Sequence, residues 1–464
     1  MPSQLNQQTL NPVWTLERDR CSENEGMTFS TLAEMLGVKD EAELWQTWLR
    51  RKIVYETNTA GRFAFSYVGV IQYGSKLVYC LPKYWRWVNP PEKNEVRKSA
   101  EWSHFAQVLK VIARYRESVD EQAEDTQEHE GDGLLGLMVR LVMDYAENGV
   151  YRDDEQVEQI NGNGKILWQK SINSLLPYLQ NGRDPVYVDL YRRATVADED
   201  NYFARLHRFV VKECCLKLQE CGMLDLLDLP IVNDSEEELD VFGARAFIKY
   251  CLETELLQQF DSRRRFILQK LLEYLGITEH QDDSDQLFLF GTTSFEHVWE
   301  EVCRATLGRD CHEEEKWKAP FKESAPCWQL GMDKDEPFFG KPHRLDMLFW
   351  NEEAKRLELY DAKYYVPDYN PKGKYYSGLP GIGDISKQYL YRLTLKPHCP
   401  ESFSVHNALL LPAPHGTTPG RWGTVSMKIL ADMGLGDIDV YRLNPEKLYT
   451  RYLDGTQESL SKMS

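Results

Sequence analysis

A chain of 464 residues is too long for one small core, and two or three domains are expected. It has no run of about 18 apolar residues, no basic-then-apolar leader in its opening MPSQLNQQTLNPVWTLERDR, and no CxxC pair among its 10 cysteines. These features exclude a membrane span and a disulfide scaffold and predict a soluble, cytoplasmic protein with reduced thiols. The net charge of −18 excludes a protein that grips nucleic acid by bulk electrostatics alone, so any such role calls for a partner.

In chain order, residues 1–100 read as a mixed α/β domain. Helical TFSTLAEMLGV and EAELWQTWLRRKIVYE lead into FAFSYVGVIQYGSKLVYCLPKYW, an alternating hairpin around Gly74-Ser75 that Pro82 ends. Residues 101–285 read as a mostly helical middle domain, with Phe105, Leu109, Val111 and Ile112 on one helix side and NGNGKILWQKSIN as a turn and short strand. His207 on an apolar helix face reads as a satisfied core histidine, and Cys214 and Cys215 as packing residues. The acidic stretches 117–132 and 234–240 read as solvated connectors. Residues 286–464 run helix, strand, strand, loop, helix, strand, strand, helix, the order of an α/β layer domain. There is no P-loop, so no nucleotide is expected on this chain itself.

The chemistry concentrates in RLDMLFWNEEAKRLELYDAKYY, residues 344–365. Two apolar runs flank 351–355, which predicts a β-hairpin. Asp346 starts the first strand, and Asp361 and Lys363, two residues apart on the second, share a face. Two carboxylates from neighbouring strands suit a hard divalent cation. A lysine beside them can orient or deprotonate water and stabilise charge on a phosphate. An ordinary Asp–Lys pair on a surface hairpin explains D-x-K alone better, and the flanking features tip the balance.

Upstream, in TTSFEHVWEEVCRATLG, Thr293 and Glu296 have the spacing of a capping box, and Phe295, Val298, Trp299 and Val302 form an apolar stripe. Glu300 lies at the edge of that stripe, where it could reach a metal on the adjoining sheet or simply be solvated. Downstream, in GIGDISKQYLYRLTL, Asp384 can cap a helix that carries Gln388 and Tyr391 one turn apart, with Lys387 alongside, toward a phosphate or scissile strand. Between them, YYVPDYNPKGKYYSGLPGIG sets Lys372 and Lys374 among tyrosines, a composition that suits nucleic acid. Cys303, Cys311, His312 and Cys327 are spaced too irregularly for a zinc knuckle and read as scattered thiols.

An acidic helix, an Asp on one strand, D-x-K on the next and a Gln/Tyr helix together resemble the PD-(D/E)XK nuclease pattern. Leu345 departs from it, standing where that pattern's name has proline. NGNGKILWQKSIN, SYVGVIQYG with YCLPKYW, FEHVWEEVC and GDISKQYLY extend the resemblance to the LlaJI restriction endonuclease family, which is similar to McrC-type subunits. The resemblance implies an α+β multidomain protein whose C-terminal α/β nuclease domain has a mixed central sheet. It implies an endodeoxyribonuclease of a bacterial restriction or antiviral defence system that cuts double-stranded DNA. Asp346, Asp361, Lys363, Glu300 and Gln388 would form the catalytic set, with Asp346, Asp361 and Glu300 holding Mg2+, for which Mn2+ could substitute. Lys372, Lys374, Lys387 and Tyr391 would contact DNA. It further implies an McrB-like AAA+ GTPase or ATPase as activating partner, a cognate DNA methyltransferase in the same system, and an N-terminal region that docks on the partner or selects the target. A non-catalytic adaptor with a decayed nuclease fold and a repair-type nuclease of the same fold are the alternatives.

Overall fold

The computed structural model describes residues 13–460 except 17–28, 39, 58–62, 75, 86–99, 123–133, 181, 199, 280–286, 309, 312–313 and 329–337. The fold is mixed α/β and divides into two compact units, one made of Met1–Gly131 with Leu287–Ser464, the other of Asp132–Gln286.

In the first unit, the alternating hairpin forms as its sequence predicts. Val68–Tyr73 pairs antiparallel with Lys76–Leu81 around Gly74, whose φ is 56°. Val13–Leu16 joins one side in parallel, and Leu287–Thr292, more than two hundred residues later, joins the other side antiparallel. That last pairing requires glycine. Gly69 sits opposite Gly291, and a Cβ on Gly291 would meet the Val68 carbonyl oxygen at 2.2 Å. Helices Phe29–Leu36 and Glu41–Arg50, the second capped by Asp40 accepting from the Glu43 amide (3.0 Å), cover the sheet with Leu32, Leu44 and Trp48 against Phe63, Phe65 and Ile71. The helical run expected through Glu56 ends at Arg50. Lys52 turns the chain at φ 54°, and β-branched Val54 starts a strand, Val54–Glu56, paired with Phe63–Phe65.

The same unit holds a five-stranded mixed sheet in the order Met347–Asn351, Arg356–Ala362, Ser404–Pro412, Ile438–Leu443, Gly420–Val425. The first pair is the predicted antiparallel hairpin, the next two pairings are parallel, and the last is antiparallel. Ser404–Pro412 is flanked by parallel neighbours on both sides, and its second half, 408–412, is the buried apolar run such a strand needs. Leu348, Leu357, Leu359 and Val405 pack with Trp317, Phe321, Tyr391 and Leu395. The stretch read as a tyrosine-rich loop holds a short hairpin, Asp368–Asn370 with Tyr375–Ser377.

In the second unit, helices Leu134–Asn148, Tyr202–Glu220, Arg245–Gln258 and Ser262–Glu279 supply the core. His207 is fully buried there, its Nδ1 accepting from the Tyr151 amide (3.0 Å), and Cys214 and Cys215 are buried beside it. The unit also contains a β-ribbon, Asp153–Ile160 with Tyr191–Asp198, of which only the NGNG turn and the short strand after it were legible. Its first strand, DDEQVEQI, is polar on both faces and so shows no apolar alternation. Residues 234–240 are not a free connector. Tyr145 donates to Asp234 (2.9 Å) and Arg205 pairs with Glu237. Most of the other acidic stretch, 123–132, lies outside the described residues. Among the described residues, no helix is long and apolar enough to cross a membrane.

Candidate active site

The hairpin that carries the site is set by its turn. Asn351 Oδ1 accepts from the Ala354 amide (2.9 Å) and Lys355 adopts φ 47°. This fixes Met347 opposite Tyr360, and so brings Asp346, just ahead of its strand, to the level of Asp361. Lys363, just beyond the second strand, turns back between them. Its Nζ lies 2.8 Å from Asp361 Oδ2 and 3.7 Å from Asp346 Oδ2. Asp361 is only 2% exposed. Both Oδ2 atoms are buried and face that one ammonium.

Buried carboxylates in that state are costly as anions. Burial raises the pKa of Asp346, against the pull of Lys363, and raises that of Asp361 further, with the charge of Asp346 adding to it. Burial works against the Lys363 ammonium, but Asp361 and Asp346 outweigh it and hold the lysine protonated well above its ordinary range. Glu300 is half-buried on helix Phe295–Thr306. Burial raises its pKa, Lys363 and His297 oppose the rise, and Asp361 adds to it, so Glu300 faces the same field. Among the described residues, no three His, Cys, Asp or Glu side chains are gathered tightly enough to hold a metal ion.

The Glu300 helix buries Phe295, Val298, Trp299 and Val302 as expected. Its N-cap falls one residue after the Thr293 that the capping-box spacing predicts, at Ser294, which makes no side-chain cap bond. The Trp299 indole N–H instead donates to the Leu410 carbonyl (3.3 Å), which also accepts the Lys363 backbone N–H (2.9 Å).

Helix Ile382–Leu395 approaches from the other sequence side. Asp384 caps it from within the first turn, accepting from the Gly381 amide (3.3 Å) and from the Tyr365 hydroxyl (3.1 Å). Gln388 is fully buried, and neither of its amide atoms has a hydrogen-bond partner among the described residues. Its backbone carbonyl accepts from the Asn407 side-chain amide; Asn407 stands opposite Leu359 and thus one pleat from Asp361 on the same sheet face. Tyr391 is also buried, its hydroxyl donating to the Arg344 carbonyl (2.5 Å) two residues before Asp346. Lys372, Lys374 and Lys387 are exposed. Of the residues weighed for zinc, Cys303 and Cys311 are buried, Cys327 is exposed, and His312 lies outside the described residues.

Sequence reasoning passed over Tyr364, because an aromatic beside D-x-K reads as core. Its hydroxyl accepts from the Lys83 amide (3.1 Å), the Lys83 ammonium sits 3.9 Å above its ring, and Phe295 packs beside it (5.2 Å). The end of the N-terminal hairpin therefore touches the residue after Lys363.

The structure thus gathers Asp346, Asp361 and Lys363 at one end of the mixed sheet. The profile of the LlaJI restriction endonucleases matches residues 67–442, and the chain belongs to that family. Membership makes it a nuclease component of a restriction system. The chain is 26% identical over 410 residues to the type II restriction enzyme BsuMI component YdjA of Bacillus subtilis (strain 168), covering 87% of this chain and 83% of that one. Among solved structures it is similar to a half-complex from the tetradecameric assembly of Thermococcus gammatolerans McrB AAA+ hexamers with bound McrC, at 12% identity and a TM-score of 0.36, covering 96% of this chain and 99% of that one. A second, the T. gammatolerans McrBC complex, has 13% identity and a TM-score of 0.21 over 64% and 89%.

Proposed function

We propose that this chain is the Mg2+-dependent DNA endonuclease subunit of its restriction system, cutting at Asp346, Asp361 and Lys363. One observation carries the reading: two carboxylates from neighbouring strands turn buried oxygens toward a single lysine ammonium, 2.8 Å from Asp361 Oδ2 and 3.7 Å from Asp346 Oδ2. That ammonium sits where a cation fits, and hard oxygen donors in a pair are what Mg2+ takes when substrate phosphate and water complete its shell. Asp346 and Asp361 would hold the ion, with Glu300 near enough in the same field to join through water. When bound, the ion polarises a phosphate oxygen and makes attacking water more acidic.

The chain's own residues do the rest. Lys363 offsets charge gathering on the scissile phosphate or orients the attacking water. Gln388, with an unsatisfied amide in a buried setting, orients water or a phosphate oxygen. Tyr391 is a positioning residue, holding the Arg344 carbonyl and thereby the approach to Asp346. Lys372, Lys374 and Lys387 contact the DNA backbone. The bulk charge and the description of the Bacillus relative as a component support an activating partner, which we take to be an AAA+ NTPase, with a methyltransferase protecting host DNA.

The test is cleavage of covalently closed plasmid, methylated and unmethylated, with Mg2+, with and without the neighbouring gene product. Wild-type chain should cut, whereas Asp361→Asn and Lys363→Ala should lose about 100-fold or more in rate. Wild-type cleavage by Asp361→Asn sinks the assignment. Cutting that requires free ends favours the repair-type alternative.

A further inference from the structure

Between Lys363 and the Gln388 helix the chain leaves the body of the sheet as the hairpin Asp368–Asn370/Tyr375–Ser377 and returns at Ile382. A hairpin of three-residue strands is marginal alone, and this one gains little from burial. Tyr369, Tyr375 and Tyr376 are 49%, 55% and 45% exposed. Folding alone gives no reason to set three half-exposed tyrosines there.

Their arrangement does. Tyr369 and Tyr376 pair across the hairpin with ring centroids 5.0 Å apart, and Tyr376 meets Trp422 edge to face at 5.6 Å. Trp422 lies at the irregularity in strand Gly420–Val425, where the register shifts between Arg421 and Gly423, and the Arg442 guanidinium covers its ring at 3.6 Å. The result is one row, Tyr369, Tyr376, Trp422 and Arg442, running from the hairpin to the sheet edge. Lys372 and Lys374 stand exposed at the hairpin tip, with Asp368 the one acid within the hairpin, so the row is locally basic on a strongly acidic chain.

We propose that Tyr369, Tyr376 and Trp422 form a stacking platform for unpaired bases of the DNA strand that enters the Asp346–Asp361–Lys363 site, with Lys372 and Lys374 on its phosphates. The polymer's identity rests on the nuclease reading above; the platform rests on the row itself. In a duplex, base faces are covered by their neighbours and only edges and phosphates are offered, which rings read poorly. An unpaired base offers its face, and stacking on aromatic rings is sequence-tolerant and strong. The site therefore engages a strand opened locally from its complement.

The test is fluorescence anisotropy of full-length protein with a labelled oligothymidylate and with a duplex of equal length, with EDTA present so that nothing is cut. Tyr369→Ala/Tyr376→Ala should weaken oligothymidylate binding by about ten-fold or more and duplex binding by less than about two-fold, while Phe at both positions should restore it. Lys372→Gln/Lys374→Gln should weaken both ligands and flatten the salt dependence. Failure of wild-type protein to bind oligothymidylate, or unchanged binding by the double alanine variant, overturns the platform, as does equal loss on duplex. A protein that cuts normally as Asp361→Asn would remove the nuclease reading and leave the anisotropy result standing, so the two fail separately.

Discussion

The indole N–H of Trp299 and the backbone N–H of Lys363 converge on one acceptor, the carbonyl of Leu410. The helix that carries Glu300 is thus pinned to the same atom that fixes the end of the lysine's strand. Trp299→Phe removes the indole donor and keeps most of the packing. Leu410 retains the Lys363 bond, so no acceptor is orphaned, and the loss should be about 1 kcal/mol by urea denaturation. Cleavage should fall more than stability does, because the register between Glu300 and Lys363 is loosened. Equal, small losses in both would make Trp299 a packing residue only.

The Lys363 ammonium occupies the carboxylate cradle in competition with any divalent ion. In Lys363→Ala that competitor is gone, and two buried carboxylates lose their neutralising partner, which is destabilising without metal. Mg2+ should therefore raise Tm more in Lys363→Ala than in wild-type protein. Binding alone contributes about 1.4 kcal/mol at ten times Kd and about 2.7 kcal/mol at a hundred times. Asp346→Ala/Asp361→Ala should show no Mg2+-dependent shift by differential scanning fluorimetry. A shift that survives in that variant places the ion elsewhere.

What the sequence made legible follows local physics. The 344–365 hairpin, the apolar stripe Phe295–Val298–Trp299–Val302 and the buried His207 were readable because alternation, helical period and apolar context act over a few residues. The pairing of Leu287–Thr292 with Val68–Tyr73 was not, since nothing local marks a partner so distant in the chain. Nor was the contact of Lys83 with Tyr364, nor the row that Trp422 completes, because both are set by tertiary packing of segments whose own patterns are ordinary. The D-x-K triplet was visible; the burial of Asp361 and its convergence with Asp346 on one ammonium are tertiary.

His104 gives the first unit a pH dependence. It is buried, stacked on Trp85 and Tyr449, with its Nε2 3.0 Å from the Tyr84 hydroxyl, and burial chiefly lowers its pKa to about 4. The folded imidazole thus binds its proton more weakly than the unfolded one, whose pKa is about 6.5. Between those values the unfolded chain holds more protons, so stability is complete above about pH 6.5 and is lost as pH falls toward 4, by on the order of 3 kcal/mol. Urea midpoints from pH 7 to 4 should decline more steeply in wild-type protein than in His104→Gln. Parallel curves would assign the decline to other groups.

Gly291 is the penultimate residue of strand Leu287–Thr292, which leads, three residues after its end, into the Glu300 helix. Its Cβ would lie 2.2 Å from the Val68 carbonyl oxygen and 2.7 Å from the Gly69 Cα, both backbone atoms that cannot swing away. Gly291→Ala must part the two strands or shift the residues between Gly291 and Phe295. Overpacking of a well-ordered site costs about 1–3 kcal/mol, and backbone contacts put this case at the upper end. The alanine variant should unfold at markedly lower urea, and at permissive temperature it should cut more slowly than its folded fraction explains, because the start of the Glu300 helix moves with the strand. Gly276→Ala, inside helix Ser262–Glu279 of the other unit with open space around its Cβ, is the control and should raise stability by up to about 1 kcal/mol while leaving cutting unchanged. If Gly291→Ala cuts in proportion to its folded fraction, the strand supports the fold without setting the position of Glu300.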